Sequence, residues 1–191
     1  MFELYYTGAS EFLAEQSDPT ISLGGFISCT LLPNDIVGNL FDTLSQSLIS
    51  LNKYQTRVIA VKNDTGSDIT GLNAYFILPI DSEGNPENEA EYQIGYQQPQ
   101  VDSNTGDLKL ENLASQFALP FMETSFQMAN GVSQAIQLPD LSNQSYLGIY
   151  IRRRPTAETV AGFDTDTLQD IFDGDITLNK EEQISLVFDW N

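Results

Sequence analysis

The chain contains no histidine, so the commonest general base and metal ligand is missing. Ser-His-Asp and Cys-His nucleophilic arrangements are therefore impossible within it. Its one cysteine, Cys29, has no neighbour in sequence that would stabilise a thiolate and reads as a small buried core residue. Carboxylates are the remaining candidates. Glycoside hydrolysis needs two of them across a cleft, but nothing in the sequence selects a pair from 27 Asp and Glu. Two stretches, Asp102–Asp107 (DSNTGD) and Asp173–Thr177 (DGDIT), look superficially like calcium loops. Neither has Gly at the sixth position, and Leu113 and Ile184 stand where the twelfth-position Glu belongs. Both read as turns, since Asp, Asn and Gly are the standard turn formers. With no P-loop and no GxGxxG, the residues point to no catalytic centre, no metal and no cofactor.

What remains is recognition chemistry. Arg152-Arg153-Arg154 holds three of the chain's eight cations. These arginines either point outward and pair with the protein's own carboxylates or dock onto an acidic patch of a neighbouring subunit, where the guanidinium fork suits bidentate contacts. Phe117, Phe121 and Phe126 form an aromatic segment that belongs either to the core or to an interface. The candidate interface residues are Arg152, Arg153, Arg154, Phe117 and Phe121. Trp190 reads as a strand-end core anchor. A sugar-stacking platform would draw on Tyr92, Tyr96 or Trp190.

The elements that position these residues are strands. Arg57–Asn63 and Tyr146–Arg154 alternate with period two, one face apolar and one polar, as a half-buried antiparallel sheet requires. Ile69–Leu78 follows the first through the turn Asp64–Asp68. The strand bearing Ala74, Phe76 and Leu78 and the one bearing Leu147, Ile149 and Ile151 are expected at the centre. Gly24-Gly25 marks a bend or bulge. Ile36, Leu40, Leu44 and Leu48 predict a helix within Ile36–Leu51, capped by Asn34 or Asp35, and a second short helix is expected at Thr167–Phe172. Residues 81–91 read as a solvated loop, Gly106 as a turn, and 117–128, broken by Pro120, as an edge or wrapping segment. Ala135–Leu138 and Gln183–Trp190 read as further strands. The expected fold is an all-β antiparallel sandwich, Ig- or jelly-roll-like, with one or two short helices. Residues 1–155 form the module, with 81–130 an elaborated loop and hairpin region. Residues 156–191 form an acidic segment ending in a strand packed on the same domain.

Composition sets the class of partner. At 191 residues the chain suits one domain, and 41% hydrophobic content supplies a core. A net charge of −19 disfavours nucleic acid and anionic membranes and leaves basic protein surfaces as the favoured partners. One cysteine excludes an intrachain disulfide. The start, MFELYYTGAS, lacks the features of a signal peptide, and no apolar run approaches the roughly 20 residues of a membrane helix. The expected site of synthesis and folding is a cytoplasm.

One ordered set of motifs carries more. Leu23-Gly24-Gly25 and Pro33-Asn34 are followed by Asn39-Leu40-Phe41-Asp42, then by Tyr54-x-x-Arg57-x-x-x-Val61-Lys62-Asn63 and the aromatic strand Ala74-Tyr75-Phe76. The set closes with Leu138-Pro139-x-Leu141 and Gly148–Arg153. Over roughly two-thirds of the chain this order resembles a structural module of tailed bacteriophages of the short-tailed or crAss-like type, found in the tail, collar or ring region. The resemblance implies a β-sandwich without catalytic residues that assembles with itself, as a ring, and with other virion proteins. It implies a virion location after assembly in the bacterial cytoplasm. A carbohydrate- or receptor-binding β-sandwich is the alternative.

Overall fold

The computed structural model describes residues 2–33, 40–41, 46–78, 83, 90–122, 124–156 and 185–190. Its strands, in chain order, are β1 (Phe2–Ala9), β2 (Gly25–Leu31), β3 (Gln55–Asn63), β4 (Asn73–Ile77), β5 (Ala90–Gln97), β6 (Gln100–Val101), β7 (Leu108–Leu110), β8 (Gln127–Met128), β9 (Ile136–Gln137), β10 (Tyr146–Pro155) and β11 (Ser185–Asp189); one short helix, α1, spans Gln46–Leu51. They make two antiparallel sheets in a sandwich-like all-β fold. The larger runs β6-β7-β2-β1-β3-β10-β5-β8 and the smaller β11-β4-β9.

The strands expected at the centre are central. β10 lies between β3 and β5, and β4 lies between β11 and β9. Odd-numbered Ile59 and Val61 of β3, with Leu147, Ile149 and Ile151 of β10, join the core shared with Ala74, Phe76 and Ile136 of the smaller sheet. Leu186 and Phe188 of β11 pack against that core from its edge.

The half-buried reading of these strands needs correction. Val58 and Ala60 of β3 and Tyr150 of β10 point the other way and are equally buried, in a second cluster with Ile27, Leu110 and Leu113. The opposite face of the large sheet is therefore covered as well, by Leu108 and Leu110 of β7 and by Phe12, Leu23, Leu113, Ala118 and Phe126 of irregular chain. That chain bonds directly to the sheet: beyond the last β1 pair, Tyr6↔Ile59, the exposed edge of β3 is taken over. There Val58 N donates to Ser22 O (2.8 Å) and Thr56 N to Gln116 O (2.6 Å). Two-sided cover explains why RVIAV carries no polar residue between Arg57 and Lys62.

Gly24-Gly25 does form the expected irregularity. Both have positive φ (98° and 79°), and the β1–β2 register shifts beside them. A side chain on Gly24 would collide with the carbonyl of Glu111, where the covering chain comes closest. Cys29 is not a core residue: it is exposed. The cover over β2 stops at Ile27, so Cys29 and Leu31, next on the same side of the strand, face solvent. Asp102–Asp107 is the hairpin turn between β6 and β7. Asp102 Oδ1 accepts from the amides of Asn104 (2.8 Å) and Thr105 (3.2 Å), and its other oxygen accepts from Lys109 Nζ. The Lys109 hydrogen bond, helped by those amides, holds the Asp102 carboxyl below its usual range.

Of the expected Ile36–Leu51 helix only Gln46–Leu51 is helical among the described residues, and Leu40 and Phe41 form a bend. Its caps lie outside the described residues, as do the Thr167–Phe172 helix, the Asp173–Thr177 turn and most of the expected 81–91 loop, whose last residues, Ala90 and Glu91, instead begin β5.

Candidate protein interface

Strand parity divides the arginine cluster. Arg153 turns to the inter-sheet side, is 5% exposed, donates from Nε to Gln55 Oε1 (3.0 Å) and lies over the Phe41 ring (4.7 Å). It offers nothing to a docking partner, so the expected three-arginine patch is a two-arginine patch. Arg152 and Arg154 point to the opposite face. Arg152 lies against two aromatic rings, 4.2 Å from the Tyr54 centroid and 4.0 Å from that of Phe126, and donates from Nε to Gln93 Oε1 (2.8 Å). Arg154 also lies over Tyr54 (4.8 Å) and pairs with Glu91 (2.7 Å). Gln93 Nε2 donates to the Tyr54 hydroxyl (3.0 Å), which donates to Glu91 (3.2 Å) and closes the network.

The electrostatics follow from this packing. Burial draws Arg152 below the ordinary guanidinium range, and the nearby Arg154 charge acts in the same direction. The Glu91 hydrogen bond raises Arg154. Burial raises the Tyr54 hydroxyl. The Arg154–Glu91 pair is partly solvated and contributes little to stability. Arg152 has no carboxylate within salt-bridge distance among the described residues. It remains a partly exposed cation fixed in orientation by its rings, with each ring contact contributing about 0.5–1 kcal/mol.

The same face carries the aromatic segment. From Gln116 to Met122 the chain crosses the sheet as a strap. Gln116 anchors its start: besides its carbonyl bond to Thr56, its side-chain Oε1 accepts from Gln55 Nε2 (2.6 Å) and from an Arg57 terminal nitrogen (3.0 Å). Glu111 anchors its far end, its two carboxylate oxygens accepting from the amides of Phe121 and Met122, the latter at 2.9 Å. Beneath lies a buried network. Gln97 Nε2 donates to Thr124 Oγ1 (2.7 Å) and Glu111 Oε2 (3.2 Å), while the Tyr150 hydroxyl donates toward Gln97 Oε1 (2.8 Å) and the Glu111 carbonyl (3.1 Å).

Along the strap, Ala118 turns inward onto the second cluster, while Phe117, Leu119, Phe121 and Met122 are exposed. Phe121 is 98% exposed. The strap then descends through Thr124 and Phe126 over Gly95, whose missing side chain makes room for both. Phe126 is the ring against Arg152. Phe121, Arg152 and Arg154, but not Arg153, therefore lie on one face of the large sheet along β5, apolar at one end and cationic at the other.

Sequence reading missed the residues that build this surface. Tyr54 stood out only as part of an ordered motif; its place against Arg152 comes from the β3–β10 register, which sets Arg152 opposite Thr56. Glu111, Gln97 and Gln116 carry no local mark. Gly95 did carry one: a glycine inside a strand signals close approach by another element. The sugar-platform residues do not come together. Tyr92 is 6% exposed beneath Phe76, Tyr96 is partly exposed, and Trp190, 42% exposed, stands edge-on to Phe2 at 4.9 Å.

Comparison of the chain with protein-family models, with curated proteins and with solved structures returns no match.

Proposed function

We propose that this protein is a non-enzymatic structural component of a tailed-phage virion. In this reading it assembles with copies of itself, as a ring around the portal–tail axis, and with other tail or neck proteins. The observation that carries the assembly part is Phe121, a large aromatic side chain 98% exposed on a strap pinned by Glu111 and Gln116. Exposed apolar residues scattered singly need no explanation. Four of them on one anchored segment, beside an oriented Arg152, make a contact surface with an aromatic hot spot and a polar rim. The polar groups beneath serve to hold the strap. The virion part rests on the ordered motifs between residues 20 and 155. Several of these occupy structurally demanding places: Gly24-Gly25 at the positive-φ bend, Tyr54 and Arg152 in the stack, and Asn63 donating to Ser67 O and Leu141 O, 2.8 Å each.

The test is the absolute mass in solution by light scattering across a concentration and salt series, for the wild type, Phe121→Ser and Arg152→Gln. A discrete closed oligomer, weakened by salt and more than about 10-fold weaker in Phe121→Ser, is expected. A salt-insensitive monomer, unchanged by either substitution, would remove self-assembly as a property of this chain.

A further inference from the structure

The ladder between β3 and β10 has two electrically different ends. From Tyr146↔Lys62 to Arg153↔Gln55 it spans roughly 24 Å at the antiparallel rise. At the end where β10 finishes, Arg152 and Arg154 lie against Tyr54, and the exposed Lys53 precedes that ring in the chain. The carboxylate paired with this group is Glu91, and Arg154 takes it. Arg152 uses Nε on Gln93, and its two terminal nitrogens have no partner among the described residues. A guanidinium partly stripped of water and given no counter-ion of its own is a site that lacks its anion.

The other end is acidic. Glu3 stands opposite Lys62 in the β1–β3 register, and the turn Asp64–Asp68 lies beside the loop from Asp140 to Gln144. Lys62 lies 3.8 Å from Glu3 and from Asp64, a single cation beside four carboxylates, Glu3, Asp64, Asp68 and Asp140. Asp64, Asp68 and Asp140 are exposed, and the turns orient them. Asn143 N donates to Asp68 Oδ1 (2.8 Å), Gly71 N to Asp140 Oδ1 (3.2 Å) and Gln144 Nε2 to Asp64. Phe121 belongs to this end as well. Glu111, which holds its amide, also accepts from Gln97, and Gln97 pairs with Gly148 near the start of β10.

At physiological ionic strength charges are screened over about 8 Å, a fraction of the ladder's length, so a partner meets the two ends separately. An oriented guanidinium fork suits carboxylates, and copies of one chain supply both halves of that match. We propose that copies of this chain dock head-to-tail, the acidic turns and Phe121 of one copy meeting Arg152, Arg154 and Lys53 of the next. The contact joins two different surfaces, so it is heterologous and repeats from copy to copy until a ring closes. It also disfavours head-to-head and tail-to-tail pairs, which place like charges together. The inference rests on the self-assembly reading above and names the two faces that meet.

Exchanging the charges tests it. Lys53→Glu with Arg152→Glu turns the cationic end acidic, while Asp64→Lys, Asp68→Lys and Asp140→Lys together turn the acidic end basic. By light scattering, each protein alone is expected to associate at least about 10-fold more weakly than wild type. An equimolar mixture is expected to regain mass, because each end then meets its opposite. Lys53→Glu alone, and Thr70→Lys with Ser142→Lys, all at exposed positions, repeat the exchange in smaller measure. They leave the ring stack and the turn hydrogen bonds in place, in case the first variants unfold. Variants that keep the wild-type oligomer, or folded variants that lose it and do not regain it on mixing, overturn head-to-tail docking and leave self-assembly standing. A wild type that is monomeric at every concentration overturns both.

Discussion

At the scale of single residues, Glu111 holds the strap in place. A carboxylate that accepts from two consecutive amides fixes the direction of the Phe121 and Met122 side chains through charge-assisted bonds. Replacing it with Ala leaves those amides without their acceptor, while Gln keeps one. Glu111→Ala is expected to cost about 1–3 kcal/mol in urea unfolding and to speed hydrogen exchange at the Phe121 and Met122 amides. Glu111→Gln should fall between it and the wild type. Unchanged exchange at both amides would show that the strap is held by packing alone. Phe121→Ser should leave the unfolding free energy of the isolated chain within about 0.5 kcal/mol of wild type, because a ring in water contributes little to folding. That separation of stability from association marks a contact residue.

At the scale of elements, the strap and the large sheet depend on each other at Gly95. An added Cβ there would collide with the Thr124 methyl and crowd the Phe126 ring, 3.2 Å away. Gly95→Val is therefore expected to lift the strap and separate Phe126 from Arg152. The loss should reach about 2 kcal/mol or more, the range of overpacking, with faster exchange along residues 117–126 than along β3. If the loss is instead uniform across the sheet, the strap is not an independent element. The arginine cluster shows how far local pattern reaches. Alternation within β10 already places Arg152 and Arg154 on one face and Arg153 on the other. It does not say which face is covered. Arg153 is buried because its side of the strand is covered by Phe41 and bonded to Gln55, residues far away in the chain.

At the scale of the whole molecule, alkaline pH acts on several phenols together. Burial pushes the Tyr150 hydroxyl well above the ordinary phenol value, and the Glu111 charge adds to it. Burial, then the hydrogen bond to Glu3, raises Tyr5 likewise, and burial raises Tyr6 and Tyr146. A raised phenol means the fold prefers the neutral form. This stabilisation is complete below the unfolded value of about 10 and is lost as pH rises from there through the folded values. The urea midpoint should therefore fall steeply between about pH 10 and the folded values, and Tyr150→Phe should flatten the slope. A midpoint independent of pH in that range would show that these hydroxyls reach water.

Residue types alone removed histidine chemistry and an intrachain disulfide, because each needs atoms that the chain lacks, and a net charge of −19 weighs against broad phosphate binding. Period-two alternation, a local property of extended backbone, marked the strands and the central places of β4 and β10. The strap, its Glu111 and Gln116 anchors, the buried Arg153 and the exposed Cys29 follow from which segments cover which face of the sheet. That cover is made by contacts between residues distant in sequence, such as Gln116 with Gln55 and Glu111 with Tyr150. No local pattern encodes such a contact, because its energy exists only after the chain has folded and water has been excluded between the two partners.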